Sequence, residues 1–193
     1  MTKPVIIGDA TLYHADCMDV LPTLEGVDCV VTDPPYPDYH AENYVQTSID
    51  FLNNLSCQQF VFWSARMDFT LDYTAIHIWD KQTGTGCQYE RIFERNGSTA
   101  FRVYNAYRHN NDLNAKWCGD KHYDHPSQKP IRLIGTLVEA TKGSVLDPFM
   151  GSGTTGVACA RLGRKFIGIE IERKYFDIAC ERIDREYAQL KMF

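Results

Sequence analysis

Apolar positions along the chain switch between two spacings. Compact runs at residues 10–14, 27–31, 59–63, 144–147 and 166–169 have the length and β-branched or aromatic content of buried strands. Residues 73–79 alternate, with Ala75, His77 and Trp79 opposite Thr74, Ile76 and Ile78, so a further strand is expected there. Between these runs the spacing lengthens to three or four. A short helix is expected at 18–24, and residues 40–55 place Tyr44, Ile49, Leu52 and Leu55 at helical intervals. Pro130 opens a helix whose apolar face is Ile131, Leu133, Ile134, Leu137 and Val138, with Gly143 as its stop. Two more helices follow at 154–162 and 173–191, the last presenting Phe176, Cys180, Ile183, Tyr187 and Leu190. Strands alternating with helices predict an α/β fold with a mostly parallel sheet.

Residues 81–124 break this rhythm. They are rich in Gly, Asn, Tyr and charge, with turn signals at 83–86 and 110–111. Long irregular stretches in compact domains tend to carry function. Charge points to the same place. The chain carries a net −5, yet residues 81–132 hold nine Lys/Arg against five Asp/Glu. A basic middle on an acidic body suits a polyanionic partner. The 193 residues suffice for one domain, 1–193, with 81–124 as a small irregular insertion. Seven unpatterned cysteines fit free thiols in a reducing cytosol. No leader pattern and no apolar run of membrane-spanning length is visible, so the expectation is a cytoplasmic protein without membrane contact.

Two segments carry candidate chemistry, both at strand ends, where open α/β sheets bind ligands. Residues 147–156, Asp-Pro-Phe-Met-Gly-Ser-Gly-Thr-Thr-Gly, form a glycine-rich strand-to-helix turn. Gly151 and Gly153 permit close ligand approach, and Glu170 ends the next strand, where an acidic residue binds ribose hydroxyls in nucleoside-binding βαβ units. The other segment is Asp33-Pro34-Pro35-Tyr36. Its prolines lack N–H groups and hold a stiff frame, leaving carbonyls and the Asp33 carboxylate as acceptors for both hydrogens of an exocyclic amine. Tyr36 offers a ring for a base lifted from a duplex, a stacking worth ~1–3 kcal/mol. Hydrogen bonds to the amine protons favour its pyramidal, attacking form, which is orientational and electrostatic catalysis. Without the second segment, either turn also reads as plain structure.

Together these two segments resemble the DNA amino-methyltransferases that use S-adenosylmethionine (SAM), and His125-Pro126-Ser127-Gln128-Lys129-Pro130 and Ile169-Glu170 strengthen the likeness. The motif order, catalytic before cofactor, resembles the permuted β group, and the match covers nearly the whole chain. The resemblance implies a Rossmann-like methyltransferase sheet with helices on both faces. It places Asp147, Phe149, Gly151, Ser152, Gly153 and Thr154 around SAM, Glu170 on the ribose, Asp16 near the adenine, and Ser127 and Lys129 near the methionine end. Asp33, Pro34, Pro35 and Tyr36 would hold the target amine. Asp at the first motif position favours adenine N6 over cytosine N4. Double-stranded DNA is the implied partner, with a homodimer and a cognate restriction nuclease compatible with it. Two departures stand out: Pro37 replaces a frequent Asn, and the chain is short for the family, so target recognition must fit within 81–124. Arg91, Arg95, Arg102, Arg108 and Lys116 are the candidates there for phosphate or guanine contacts.

Other chemistries fit less well. Cytosine C5 methylation needs a thiolate, usually in a Pro-Cys pair, and no cysteine follows a proline. Cys118, His122 and His125 lie close together, but one thiol and a histidine claimed by another motif make a poor zinc set, and no metal is expected. A catalytically silent SAM- and nucleic-acid-binding module is the different-class alternative, and RNA is an alternative substrate.

Overall fold

The computed structural model describes residues 3–38, 49–81, 89–105, 123 and 127–190. Among the described residues nine strands form a single sheet: β1 (Val5–Ile7), β2 (Ala10–His14), β3 (Cys29–Thr32), β4 (Gln58–Trp63), β5 (Ala75–Asp80), β6 (Tyr89–Arg95), β7 (Val103–Asn105), β8 (Val145–Asp147) and β9 (Phe166–Glu170). Their order across the sheet is β1-β2-β9-β8-β3-β4-β6-β5-β7. The five strands from β2 to β4 in that order are mutually parallel. β6 runs against both β4 and β5, and β1 against β2. The parallel set therefore ends along one edge, and the loops after β2, β3, β4, β8 and β9 meet there.

The helices are α1 (Cys17–Val20), α2 (Ile131–Glu139), α3 (Thr154–Arg161) and α4 (Arg173–Leu190). Pairs of adjacent strand residues divide between two cores, as the two-residue period requires. Cys29, Val31, Phe60, Phe62, Val145 and Phe166 face one core, which α2, α3 and α4 cover. Val30, Val61, Trp63, Leu146 and Ile169 face the other, closed by α1, Leu52 and the aromatic side chain of Phe69. The mostly parallel α/β sheet expected from the sequence is present, and among the described residues α2, α3 and α4 lie on one face and α1 on the other. Strands β2, β4, β5, β8 and β9 fall within a residue or two of the expected ranges. The 18–24 helix is shorter, α1 passing into a 3-10 turn at Leu21–Thr23 with Pro22 as its second residue. Most of the helix expected at 40–55 lies outside the described residues, and its end is a 3-10 turn at Phe51–Asn54.

The clearest difference concerns 81–124. Within that stretch residues 89–95 are not irregular: β6 lies inside the sheet, between β4 and β5. Its charges concealed it. Glu90, Arg91, Glu94 and Arg95 read as a solvated segment, yet each finds polar partners within the fold. β7 at the edge was likewise not anticipated.

Candidate active site

Asp147 sits where β8 gives way to the glycine turn, next to the end of β3. Its Oδ1 accepts from the Thr32 hydroxyl at 2.7 Å and from the Phe149 N–H at 3.2 Å, and its Oδ2 accepts from the Thr155 hydroxyl at 2.7 Å. Burial pushes this carboxyl up to about 6, with the two hydroxyls and the N–H opposing the rise. Asp147 thus ties β3, the turn and α3 together. Gly151 and Gly153 both adopt left-handed backbone angles, with φ of 51° and 81°. Gly153 also backs directly onto α4: a Cβ there would stand 2.8 Å from the Ala179 Cβ.

Arg182, on the inner side of α4, braces the same turn from behind. One guanidinium nitrogen donates to the Ser152 carbonyl at 2.6 Å, the Ser152 hydroxyl at 2.9 Å and the Thr154 hydroxyl at 3.2 Å. Sequence reasoning missed it. The available signal was an arginine three residues after the small Ala179 and four before Glu186, on a helix that otherwise reads as amphipathic.

Glu170 closes β9 with its carboxylate aimed by two backbone donors: Gly151 N–H to Oε2 at 2.9 Å and Glu172 N–H to Oε1 at 2.7 Å. Each oxygen keeps further acceptor capacity, as two neighbouring hydroxyls of a ribose require. Burial holds this carboxyl above its ordinary range. Asp16 caps α1, accepting from the Met18 N–H at 2.8 Å.

At the other end of the site, Asp33 Oδ1 accepts from the Tyr36 hydroxyl and Oδ2 from the Lys129 ammonium. Burial raises the Asp33 carboxyl, Lys129 opposes the rise, and the nearby Glu90 adds to it. Burial and Asp33 together push the Tyr36 hydroxyl well above its usual range. The Tyr36 ring meets the Trp63 ring edge-on, with centroids 5.6 Å apart. The sequence reading had Asp33 open to an incoming amine; here both of its oxygens have a donor. The resemblance implied Lys129 near the methionine end of the cofactor; its ammonium bonds the Asp33 carboxylate, and the residue lines the same cavity.

These two ends share one cavity of about 560 Å³, and every site residue named from the sequence lines it except Gly153, which is turned toward α4. That volume lies within the range of small-ligand pockets. The lining fits a nucleoside: Glu170 for hydroxyls, Phe149 for an apolar wall, and the glycine turn where a side chain would intrude.

The arginine candidates separate. Arg95 is buried and donates to the carbonyls of Leu52 and Asp72 and to the side chains of Gln59 and Asn53, so a DNA contact for it is withdrawn. Arg91 is partly buried and donates to the carbonyls of Ser64 and Met67, beneath which its guanidinium lies over Phe93. Arg102 is exposed. Arg108, Lys116, Cys118, His122 and His125 lie outside the described residues. Among the described residues no cluster of three metal-ligating side chains occurs, and no helix is long and apolar enough to cross a membrane.

The DNA methylase family model matches residues 58–181. The type II methyltransferase M2.DpnII of Streptococcus pneumoniae is 34% identical over 142 residues, covering 69% of this chain and 47% of that protein. M2.LlaDCHI of Lactococcus lactis subsp. cremoris is 49% identical over 73 residues, 36% of this chain and 26% of that protein. The chain thus spans about half, or less, of the length of these curated relatives. Among solved structures, M1.HpyAVI in complex with SAM aligns at a TM-score of 0.65 with 23% identity, over 90% of this chain and 99% of that one. PvuII DNA methyltransferase, described as cytosine-N4-specific, aligns at 0.67 with 17% identity, over 98% and 95%. At these identities the two structures speak for the fold.

Proposed function

The chain belongs to the DNA methylase family, and on that premise we propose that it transfers a methyl group from SAM to an exocyclic amine of a base in double-stranded DNA, with adenine N6 as the target. One observation carries the reading: the glycine turn with Glu170 and the Asp33–Tyr36 segment open into the same cavity. A nucleoside-binding end and an amine-binding end within one space suit group transfer between two bound molecules.

In this reading Glu170 holds the ribose hydroxyls, Asp16 lies toward the adenine, and residues 149–154 frame the rest of the cofactor. SAM, when bound, supplies a methyl group made electrophilic by its sulfonium. Asp33 and the Pro34 carbonyl accept the two amine hydrogens and hold the nitrogen lone pair toward that methyl. The upward shift of the Asp33 carboxyl makes it a better acceptor for the proton the amine must shed. Tyr36 lines the cavity beside the flipped base, which leaves the duplex at a cost of a few kcal/mol. The insertion 81–124 is proposed for target recognition, with Arg102 its one exposed arginine candidate among the described residues. The protein would act in the cell interior, and a homodimer or a cognate nuclease would be compatible with that role.

The test compares the wild type with Asp33→Ala, using labelled SAM and unmethylated duplex DNA. The wild type is expected to label the DNA. The variant is expected to lose the label while binding SAM with near-normal affinity by calorimetry. Near-normal turnover in the variant would remove Asp33 from the reaction.

A further inference from the structure

Behind Asp33 stands a second carboxylate that no motif accounts for. Glu90, the second residue of β6, is largely buried, with its side chain 13% exposed. Its Oε1 accepts from the Lys81 ammonium at 2.6 Å, and its Oε2 forms an ion pair with the Lys129 ammonium at 3.5 Å, with no well-aligned hydrogen bond to it among the described residues. Lys129 therefore stands between two carboxylates, tightly bonded to Asp33 and more loosely paired with Glu90. Its ammonium is 5.2 Å from the Phe62 ring centroid and 5.8 Å from that of Trp79, and Lys81 lies 5.2 Å from the Trp79 ring. These aromatic walls keep water from screening the exchange.

Resting on the function proposed above, we propose that Glu90 is a positioning residue that shares Lys129 with Asp33 and takes it over when the target amine occupies Asp33, with Lys81 setting the strength of its pull. The need for such a residue follows from the site itself. Each Asp33 oxygen already holds a donor, so an amine bound there competes with the Tyr36 hydroxyl and the Lys129 ammonium for its lone pairs. A lysine released into a buried apolar space without an acceptor would carry a large desolvation cost. Glu90 offers a destination within a short side-chain movement. The charges facing Asp33 are Lys129 from the segment before α2, Glu90 from β6, and Asp147 from β8, with the Tyr36 hydroxyl from its own loop; Lys81, after β5, faces Glu90.

Two isosteric or near-isosteric changes give opposite expectations. Glu90→Gln leaves Lys129 wholly to Asp33, so the Asp33 titration and the acid limb of the rate profile move to lower pH. The plateau rate still falls about tenfold or more, because the amine now competes with a locked ion pair, and SAM affinity is unchanged. Lys81→Met strengthens the pull of Glu90 on Lys129, so the same titration moves to higher pH. The double variant returns it toward the wild type. The first readout needs no activity: Asp 13Cγ chemical shifts of the SAM-free protein against pH, with the Asp33 signal assigned through Asp33→Asn and folding checked by circular dichroism. The second is the pH profile of methyl transfer. If Glu90→Gln does not fold, Lys81→Met and the double variant carry the test alone. Shifts of the same sign in both single variants, no shift, or an undiminished plateau in Glu90→Gln would overturn the proposal. A wild type that leaves DNA unmethylated would sink the function instead, while the carbon titration would still decide the sharing of Lys129.

Discussion

Replacing Asp147 by asparagine tests how the glycine turn is held. The folded carboxyl titrates near 6 against an ordinary 3.8, because it is enclosed at the junction of β3, β8 and α3. Between those values the folded chain keeps a proton that the unfolded chain has lost. The stability this group contributes is therefore complete below 3.8 and declines as pH rises through 6, after which the loss is constant. At about 1.4 kcal/mol per pH unit, the full loss is about 3 kcal/mol. Asparagine does not titrate, so it is free of that loss. It keeps one acceptor oxygen, and the Thr32 or Thr155 hydroxyl beside its amide turns to accept instead. The difference in unfolding free energy, Asp147→Asn minus wild type, should rise by about 2.5 kcal/mol between about pH 4 and about pH 7.5. Asp147→Ala should differ in kind: it strands both hydroxyls and the Phe149 N–H, and should destabilise the fold at every pH by about 1–3 kcal/mol per group left unpaired. The assay is urea unfolding followed by tryptophan fluorescence across that pH range. Parallel stability profiles for wild type and Asp147→Asn would refute the reasoning.

Further expectations follow from the same contacts. Gly153→Val places a branched side chain at a φ of 81° and against Ala179, so it should cost about 2–4 kcal/mol in chemical unfolding and abolish SAM binding by calorimetry; a stable variant with unchanged SAM affinity would contradict this. Arg182→Met should weaken SAM affinity about tenfold through a slackened turn, an effect worth about 1.4 kcal/mol, without slowing turnover at saturating SAM. Arg95→Met should destabilise the fold by about 2–5 kcal/mol through the acceptors it strands, with no change in the salt dependence of DNA binding. Arg102→Ala should do the reverse, leaving unfolding unchanged and reducing the slope of DNA affinity against salt in an electrophoretic titration.

Most of the sheet was legible because β2, β4, β8 and β9 are apolar enough to declare themselves without partners. The two ligand-facing turns were legible for another reason: proline, glycine and carboxylate in fixed order leave few backbone choices. What escaped was polar and non-local. β6 was hidden because its four charged side chains look solvated until Lys81, Lys129, Ser64, His77, Gln58 and Gln59 are brought beside them. Arg182 was hidden because its partners are thirty residues earlier on the turn. The closure of Asp33 by Tyr36 and Lys129 could not be read either: three residues separate the first pair and ninety-six the second, and only the fold brings that lysine to that strand end.

The most direct test of the account is the chemical identity of the product. The protein is incubated with labelled SAM and unmethylated duplex DNA, and the DNA is digested to nucleosides for mass spectrometry. The account predicts N6-methyladenine carrying the label, made by the wild type and not by Asp33→Ala. N4-methylcytosine in its place would keep the reaction and overturn the choice of base. DNA recovered without any methylated nucleoside, from a protein that binds SAM, would contradict the central claim.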